Sequence, residues 1–368
     1  MDENHQQRSI IAITGSAGKT TTKELIACIL SKRLEILKSI KNLNLPIYTE
    51  HYAKSILPAH QALVLEYGML KAGDIKNHCR IIQPNISIIT TIGTAHIGNF
   101  NNSIVELARA KSEIIEGMDP HGRLYLNADD SNSKLLVTDS FIGTITTVGI
   151  EKKADYQASN VTYSNTGMDF QVNINGSNFN FSLPLYGVHN IYNALFSIAV
   201  AHQLGFSPTE MQQGFNFSKK IFRHSRRLNV YPIANNVRII DDTWSANPEA
   251  MKAALDVLDN LGKNYNIAVL GNMLELGAYT TDGHKDVGEY LTKKKVHILF
   301  TYGDYAKNIA DAAIQSGFPK EHVFHFIELK ALNRALLKTL SPGTTVLIKG
   351  SHSLKMNQTV QYLRSFYK

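Results

Sequence analysis

The sequence predicts an α/β protein of two domains: a P-loop-type domain with a mostly parallel sheet and a small β insertion over 1–225, then a Rossmann-like α/β domain over 226–368. Three observations carry this reading. A β-branched run, Ile10 to Ile13, feeds a glycine loop and then an amphipathic helix. Two alternating apolar-polar stretches bracket Asn175-Gly176. Beyond residue 225, apolar runs alternate with helical periodicity, as in a parallel sheet with crossover helices. At roughly 100–200 residues per domain, a chain of 368 holds two or three.

In order, Thr14-Gly15-Ser16-Ala17-Gly18-Lys19-Thr20-Thr21 follows the first strand, and Leu25, Ile26, Ile29 and Leu30 mark the buried face of the helix behind it. Glycines let backbone N–H groups turn onto phosphate oxygens, and the new helix aims its positive end at them. Lys19 adds a charge, and the Thr20 hydroxyl can ligate magnesium. The strict pattern wants a glycine where this chain has Ile13; the strand-to-helix context carries the reading. Ala62 to Leu65 forms a second buried strand ending in Glu66-Tyr67-Gly68, and Ile86 to Ile92 a third, ending in Gly93-Thr94-Ala95-His96. Ligands of open parallel sheets bind beyond the strands' carboxyl ends, which places Glu66 and His96 as magnesium ligands near the glycine loop. Ser103 opens a helix with Glu106 at capping-box spacing. Phe170 to Ile174 and Phe179 to Leu183 form a hairpin, and Asn190 to Leu204 returns to helix. Val237 to Ile240, Ile267 to Leu270, His297 to Phe300 and Thr345 to Ile348 are the strands of the second domain, which lacks a Gly-x-Gly-x-x-Gly fingerprint.

Composition narrows the classes. Hydrophobic residues make up 43% of the chain, and no apolar run reaches the roughly 18 residues of a membrane helix, so no membrane role is expected. Met1 to Arg8 is polar, unlike a secretory signal, and two cysteines exclude a disulfide framework and a four-cysteine zinc site; the expected compartment is the cytoplasm. The net charge of +7 is spread along the chain, with short runs at Lys293-Lys294-Lys295 and Arg223 to Arg227. Small anionic substrates account for it better than nucleic acid.

These segments, in this order and spacing, resemble the Mur ligases, the ATP-dependent enzymes that add amino acids to the peptidoglycan precursor. Further matching motifs are Ala110-Lys111-Ser112-Glu113-Ile114, Gly187-Val188-His189-Asn190-Ile191-Tyr192-Asn193-Ala194, Asp241-Asp242-Thr243-Trp244-Ser245-Ala246-Asn247-Pro248, Asn272 to Gly277 and Lys349-Gly350-Ser351. The likeness is nearest to the branch that joins D-alanyl-D-alanine to a UDP-muramoyl tripeptide. It implies that the first domain is an ATPase using ATP and Mg2+. Gly15, Ser16, Gly18, Lys19, Thr20 and Thr21 then hold the phosphates, and Thr20, Glu66 and His96 bind the metal. Lys111 becomes a carbamate that ligates a second magnesium. The resemblance places Asn193 on the adenine, Asp242 on the nucleotide, and either Arg226 or Arg227 on the phosphates. Asn247, Glu275, His284 and Lys349 fall on the substrate side. Lys19, His96 and Lys111 would carry the catalysis.

The chain also departs from the family pattern. Trp244 and Ser245 stand where tyrosine and asparagine are usual, His352 where arginine is, Asn272 where aspartate is, and Lys41 to Pro46 lacks a customary glycine. With the phosphate loop starting at Thr14, no separate UDP-binding domain is expected before it. The resulting expectation is a monomeric ligase joining a small-molecule carboxylate to an amino acid, dipeptide or other amine through an acyl phosphate, with ADP released. The competing readings are a truncated cell-wall ligase and a non-catalytic nucleotide-binding module.

Overall fold

A computed structural model describes residues 8–223 and 225–366. Met1 to Gln7 of the polar N-terminal stretch, and His224 within the arginine-rich cluster, lie outside them. The chain divides into two compact units: residues 1–93, 99–184 and 188–219, and residues 94–98, 185–187 and 220–368.

The first unit is built on a nine-stranded sheet in the order β2-β3-β1-β4-β5-β6-β7-β8-β9. Its strands are β1 (Ser9–Thr14), β2 (Ile36–Lys38), β3 (Ala62–Glu66), β4 (Ile86–Ile89), β5 (Arg123–Asn127), β6 (Thr144–Gly149), β7 (Tyr156–Tyr163), β8 (Met168–Ile174) and β9 (Ser177–Leu183). The pairs from β2 through β6 are parallel, and β7, β8 and β9 form an antiparallel ribbon. That ribbon is the expected β insertion. Its turn, Asn175-Gly176, has positive φ at both residues (52° and 82°), as a tight two-residue hairpin of matching twist requires. Strand β1 is central and flanked by β3 and β4, with Ile13 opposite Glu66 and Thr14 opposite Ile89. Helix α1 (Lys19–Leu30) packs on α5 (Val188–Gln203), and α3 (Asp74–Ile81) on α4 (Ile104–Gly117). Ser103 caps α4, its Oγ accepting from the Glu106 N–H at 3.2 Å.

The second unit has a six-stranded sheet in the order β10-β11-β15-β12-β13-β14. Its strands are β10 (Asn229–Ile233), β11 (Val237–Asp242), β12 (Tyr265–Gly271), β13 (Ile298–Tyr302), β14 (Val323–Phe326) and β15 (Thr344–Lys349). All pairs are parallel except β10–β11, a hairpin that turns on Asn235 and Asn236, both at positive φ. Strand alternation sends Ile267, Val269, Val346 and Ile348 to one face, where Leu332, Leu336, Val360 and Leu363 cover them. The parallel register brings Asp242 and Lys349 side by side at the strands' C-terminal ends.

Candidate functional site

The glycine loop of the first unit leaves no room for side chains at its two turning points. Gly15 has φ +141° and Gly18 φ +83°; a Cβ at Gly15 would collide with Thr90 Oγ1, and one at Gly18 with Asn193 Oδ1. The loop is pinned on several sides. Ser16 N donates to Thr91 O at 2.8 Å, Ser16 Oγ bonds to both the N–H and the carbonyl of Gly93 at 2.9 Å, and Thr90 Oγ1 donates to Ala17 O at 2.5 Å. Lys19 folds back over the loop, its Nζ 2.7 Å from Gly15 O. Helix α1 starts at Lys19 with no acidic residue in its own first turn, an arrangement that favours an anion at its positive end.

Thr20 and Glu66 are brought together. The hydroxyl of Thr20 donates to Glu66 Oε2 at 2.9 Å, and Asn44 Nδ2 donates to Glu66 Oε1 at 2.8 Å. Glu66 is buried, as is Thr21. Among the described residues no group of three or more His, Cys, Asp or Glu could hold a metal. Mg2+ does not need one, because it takes one or two protein ligands and fills the rest of its octahedron with phosphate oxygens and water. A hydroxyl and a carboxylate converging beside a phosphate loop fit that requirement.

Lys111, on α4, is buried, and among the described residues no carboxylate pairs with it. Desolvation, with the positive charge of Lys19 second, holds its ammonium well below the usual lysine range. Both effects act against the charged form and toward the amine, the nucleophilic form of lysine.

Asn193 backs the loop. Its Oδ1 accepts from Thr22 Oγ1 at 3.1 Å, and its Nδ2 donates to Asn190 Oδ1 at 2.9 Å. Only 4% of Asn193 is exposed, so its amide is committed to fastening α5 to the start of α1.

In the second unit, Lys349 Nζ donates to Asp242 Oδ2 at 2.6 Å and to Ser245 O at 2.7 Å. Asp242 Oδ1 accepts from the Leu228 N–H at 3.3 Å. Neighbouring Asp241 has its carboxyl raised above the usual range, chiefly by burial, although Thr243 donates two hydrogen bonds to it. Arg226 lies over the Trp244 ring, 4.9 Å from its centroid, with Nη2 3.2 Å from His352 Nε2; the Trp244 and His352 rings meet edge-on at 4.8 Å. Three residues far apart in sequence thus form one cationic-aromatic cluster. Arg227 donates its backbone N–H to Ser225 Oγ at 3.3 Å.

Asn247 caps α7 (Pro248–Leu261), its Oδ1 accepting from Ala250 N at 2.8 Å. His284 is fully buried: Nε2 accepts from Met273 N at 3.0 Å, which leaves the proton on Nδ1, 2.6 Å from Thr280 O. Burial lowers its pKa, against the opposing hydrogen bond to Thr280 O. Glu275 sits at φ 65° with an exposed side chain, and its Oε2 lies 2.8 Å from His96 Nδ1, a pairing that lowers the Glu275 carboxyl. His96 itself is at φ 63°, an unusual conformation for a non-glycine residue.

Two residues that shape the site, Thr90 and Asn44, are not legible from the sequence. Thr90 carries no motif signal, since only the parallel register places it against Gly15. Asn44 lies in the Lys41 to Pro46 loop, but its reach to Glu66 depends on that loop's conformation.

Two family models match the chain: the Mur ligase middle domain over residues 13–201 and the Mur ligase glutamate ligase domain over residues 226–352. The UDP-N-acetylmuramoyl-tripeptide–D-alanyl-D-alanine ligase of Bacillus subtilis is 32% identical over 355 residues, covering 96% of this chain and 75% of the relative. The enzyme of the same name from Escherichia coli is 30% identical, with 96% and 76% covered. Among solved structures, MurF from Acinetobacter baumannii superimposes with a TM-score of 0.88 at 29% identity, over 99% of this chain and 78% of that one. MurF ligase from Thermotoga maritima in complex with ADP shares the fold, with a TM-score of 0.81 at 21% identity over 97% and 80%.

Proposed function

The chain belongs to the Mur ligase family, and from that premise we propose that it is an ATP-dependent, ADP-forming amide ligase joining a carboxylate substrate to an amino acid, dipeptide or other amine. The observation that carries this reading is the phosphate loop with the Thr20–Glu66 pair beside it. A free carboxylate is a poor electrophile. Transfer of the γ-phosphoryl group to it gives an acyl phosphate with a good leaving group, and the amine then displaces phosphate. The protein's task is positioning and charge stabilisation, and no nucleophilic side chain is needed.

The placement of the loop residues supports the following roles. Gly15, Ser16 and Gly18 present backbone to the phosphates, and Lys19 turns from Gly15 O to the transferring group. Thr20 and Glu66 would hold Mg2+, which would supply positive charge against the phosphate oxygens. Lys111, whose ammonium form burial disfavours, would add its amine lone pair to the carbon of CO2 and pass one proton to water, leaving a carbamate anion. Asp242 and Lys349 order the strand ends of the second unit, and either Arg226 or Arg227 remains the arginine proposed for the nucleotide.

Because its relatives bear that name, a muramoyl tripeptide and D-alanyl-D-alanine are the first pair to test. We place the activity in the cytoplasm, carried by a monomer. No described helix is long and apolar enough to cross a membrane. The test is Mg2+-dependent ADP release with paired carboxylate and amine substrates. ADP formed only when both are present supports the proposal; ATP binding without ADP release across a broad panel would favour a nucleotide-binding module.

A further inference from the structure

We propose that Lys23 is a positioning residue for the Thr20–Glu66 site, anchoring the segment that grips Glu66; the inference rests on the functional reading above. Lys23 is fully buried, an unusual state for a lysine. Burial of a charge is tolerated only when the charge is paired and hydrogen-bonded, and Lys23 meets both conditions. Its Nζ donates to Ser39 O and Lys41 O, each at 2.8 Å, and lies 3.1 Å from Glu24 Oε1.

The two carbonyls belong to the segment that holds Glu66. Ser39 Oγ accepts from the Glu66 N–H at 2.9 Å, and Asn44 Nδ2 donates to Glu66 Oε1. One ammonium therefore fixes a stretch of chain that touches both the backbone and the side chain of Glu66. Lys23 also lies three residues after Thr20 on α1, so the two share a helix face. Both approach the same carboxylate oxygen: Thr20 Oγ1 is 2.9 Å from Glu66 Oε2 and Lys23 Nζ 4.0 Å. A fixed cation beside that oxygen orients the carboxylate. A methionine would fill the space and supply neither the charge nor the donors.

The test is calorimetric titration of the full chain with ADP, in excess Mg2+ and again in EDTA. For Lys23→Met, the gain in ADP affinity that Mg2+ confers falls about 10- to 100-fold, the range for loss of a group that orients a metal ligand, while affinity in EDTA is unchanged. Lys23→Arg, which keeps the charge and donors, recovers part of the gain. If Lys23→Met does not fold, Asn44→Ala removes the same grip on Glu66 and is expected to show the same Mg2+-selective loss. An equal loss with and without Mg2+, or none, overturns the inference alone. Absence of Mg2+-dependent ADP binding in the unaltered protein overturns the functional reading as well.

Discussion

The hydroxyl of Thr20 donates to Oε2 of Glu66 at 2.9 Å, tying the first turn of α1 to the end of β3. The pair is local to neither element. It exists because β3 lies beside β1 in the sheet, with Glu66 opposite Ile13, just before the chain enters the glycine loop.

Thr20→Ala and Glu66→Gln each remove one of the two groups assigned to Mg2+. Each variant is expected to lower the rate of ADP formation by at least about 100-fold, the scale for removing one group that stabilises transition-state charge. Steady-state kinetics over a Mg2+ titration check this. Full activity in either variant would remove that residue from the site.

Gly18→Ala tests the loop backbone. At φ +83° the substitution is strained by about 1–2 kcal/mol before the collision with Asn193 Oδ1 is counted. The expected outcome is a lower melting temperature together with loss of ADP binding. Gly176→Ala, at a similar φ with open space around the Cβ, keeps ADP binding.

Lys111→Ala removes the amine proposed to form the carbamate. Activity is expected to fall by about 100-fold or more and to recover in part when a short-chain carboxylic acid supplies the missing anion. Unchanged activity, with no response to acid or bicarbonate, rules out the role.

The Lys349–Asp242 pair is buried, so breaking it from one side is costly. Lys349→Met is expected to destabilise the protein by about 3–5 kcal/mol, because the carboxylate loses its counter-charge. Adding Asp242→Asn should restore part of that loss. Chemical denaturation of the two single variants and the double variant measures the coupling.

Acid sensitivity follows from His78. Its ring is fully buried, Nε2 lies 3.0 Å from Gly68 O, and burial lowers its pKa to about 4. The unfolded chain binds a proton near pH 6.5 and the folded chain near 4, so stability is complete above 6.5 and is lost as pH falls through that window. The loss amounts to about 3 kcal/mol. Urea unfolding from pH 7 to 4 checks it, and His78→Asn should flatten this part of the profile.

Much of this architecture could be read from local pattern. The phosphate loop, the Ser103–Glu106 cap and the Asn175-Gly176 turn are each specified within a few residues, and each forms as its chemistry dictates. Strand β10 is not legible in the sequence, because Pro232 interrupts its pattern. Proline is tolerated there on a sheet edge, and the Asn235-Asn236 turn was the available signal. The family resemblance puts Asn247 and His284 on the substrate side. Their bonds to Ala250 N, Met273 N and Thr280 O depend on the conformation of the turns around them, which no spacing rule encodes. The contact of Trp244 with Arg226 and His352 likewise requires the sheet order that sets β15 beside β11.

The central claim is carboxylate activation by phosphoryl transfer, and the most direct measurement follows oxygen. A carboxylate substrate labelled with ¹⁸O in both oxygens, incubated with the enzyme, ATP, Mg2+ and the amine, is predicted to deliver one ¹⁸O to each inorganic phosphate formed, with ADP released in equal amount. Amide product accompanied by unlabelled phosphate, or by AMP in place of ADP, would contradict the account.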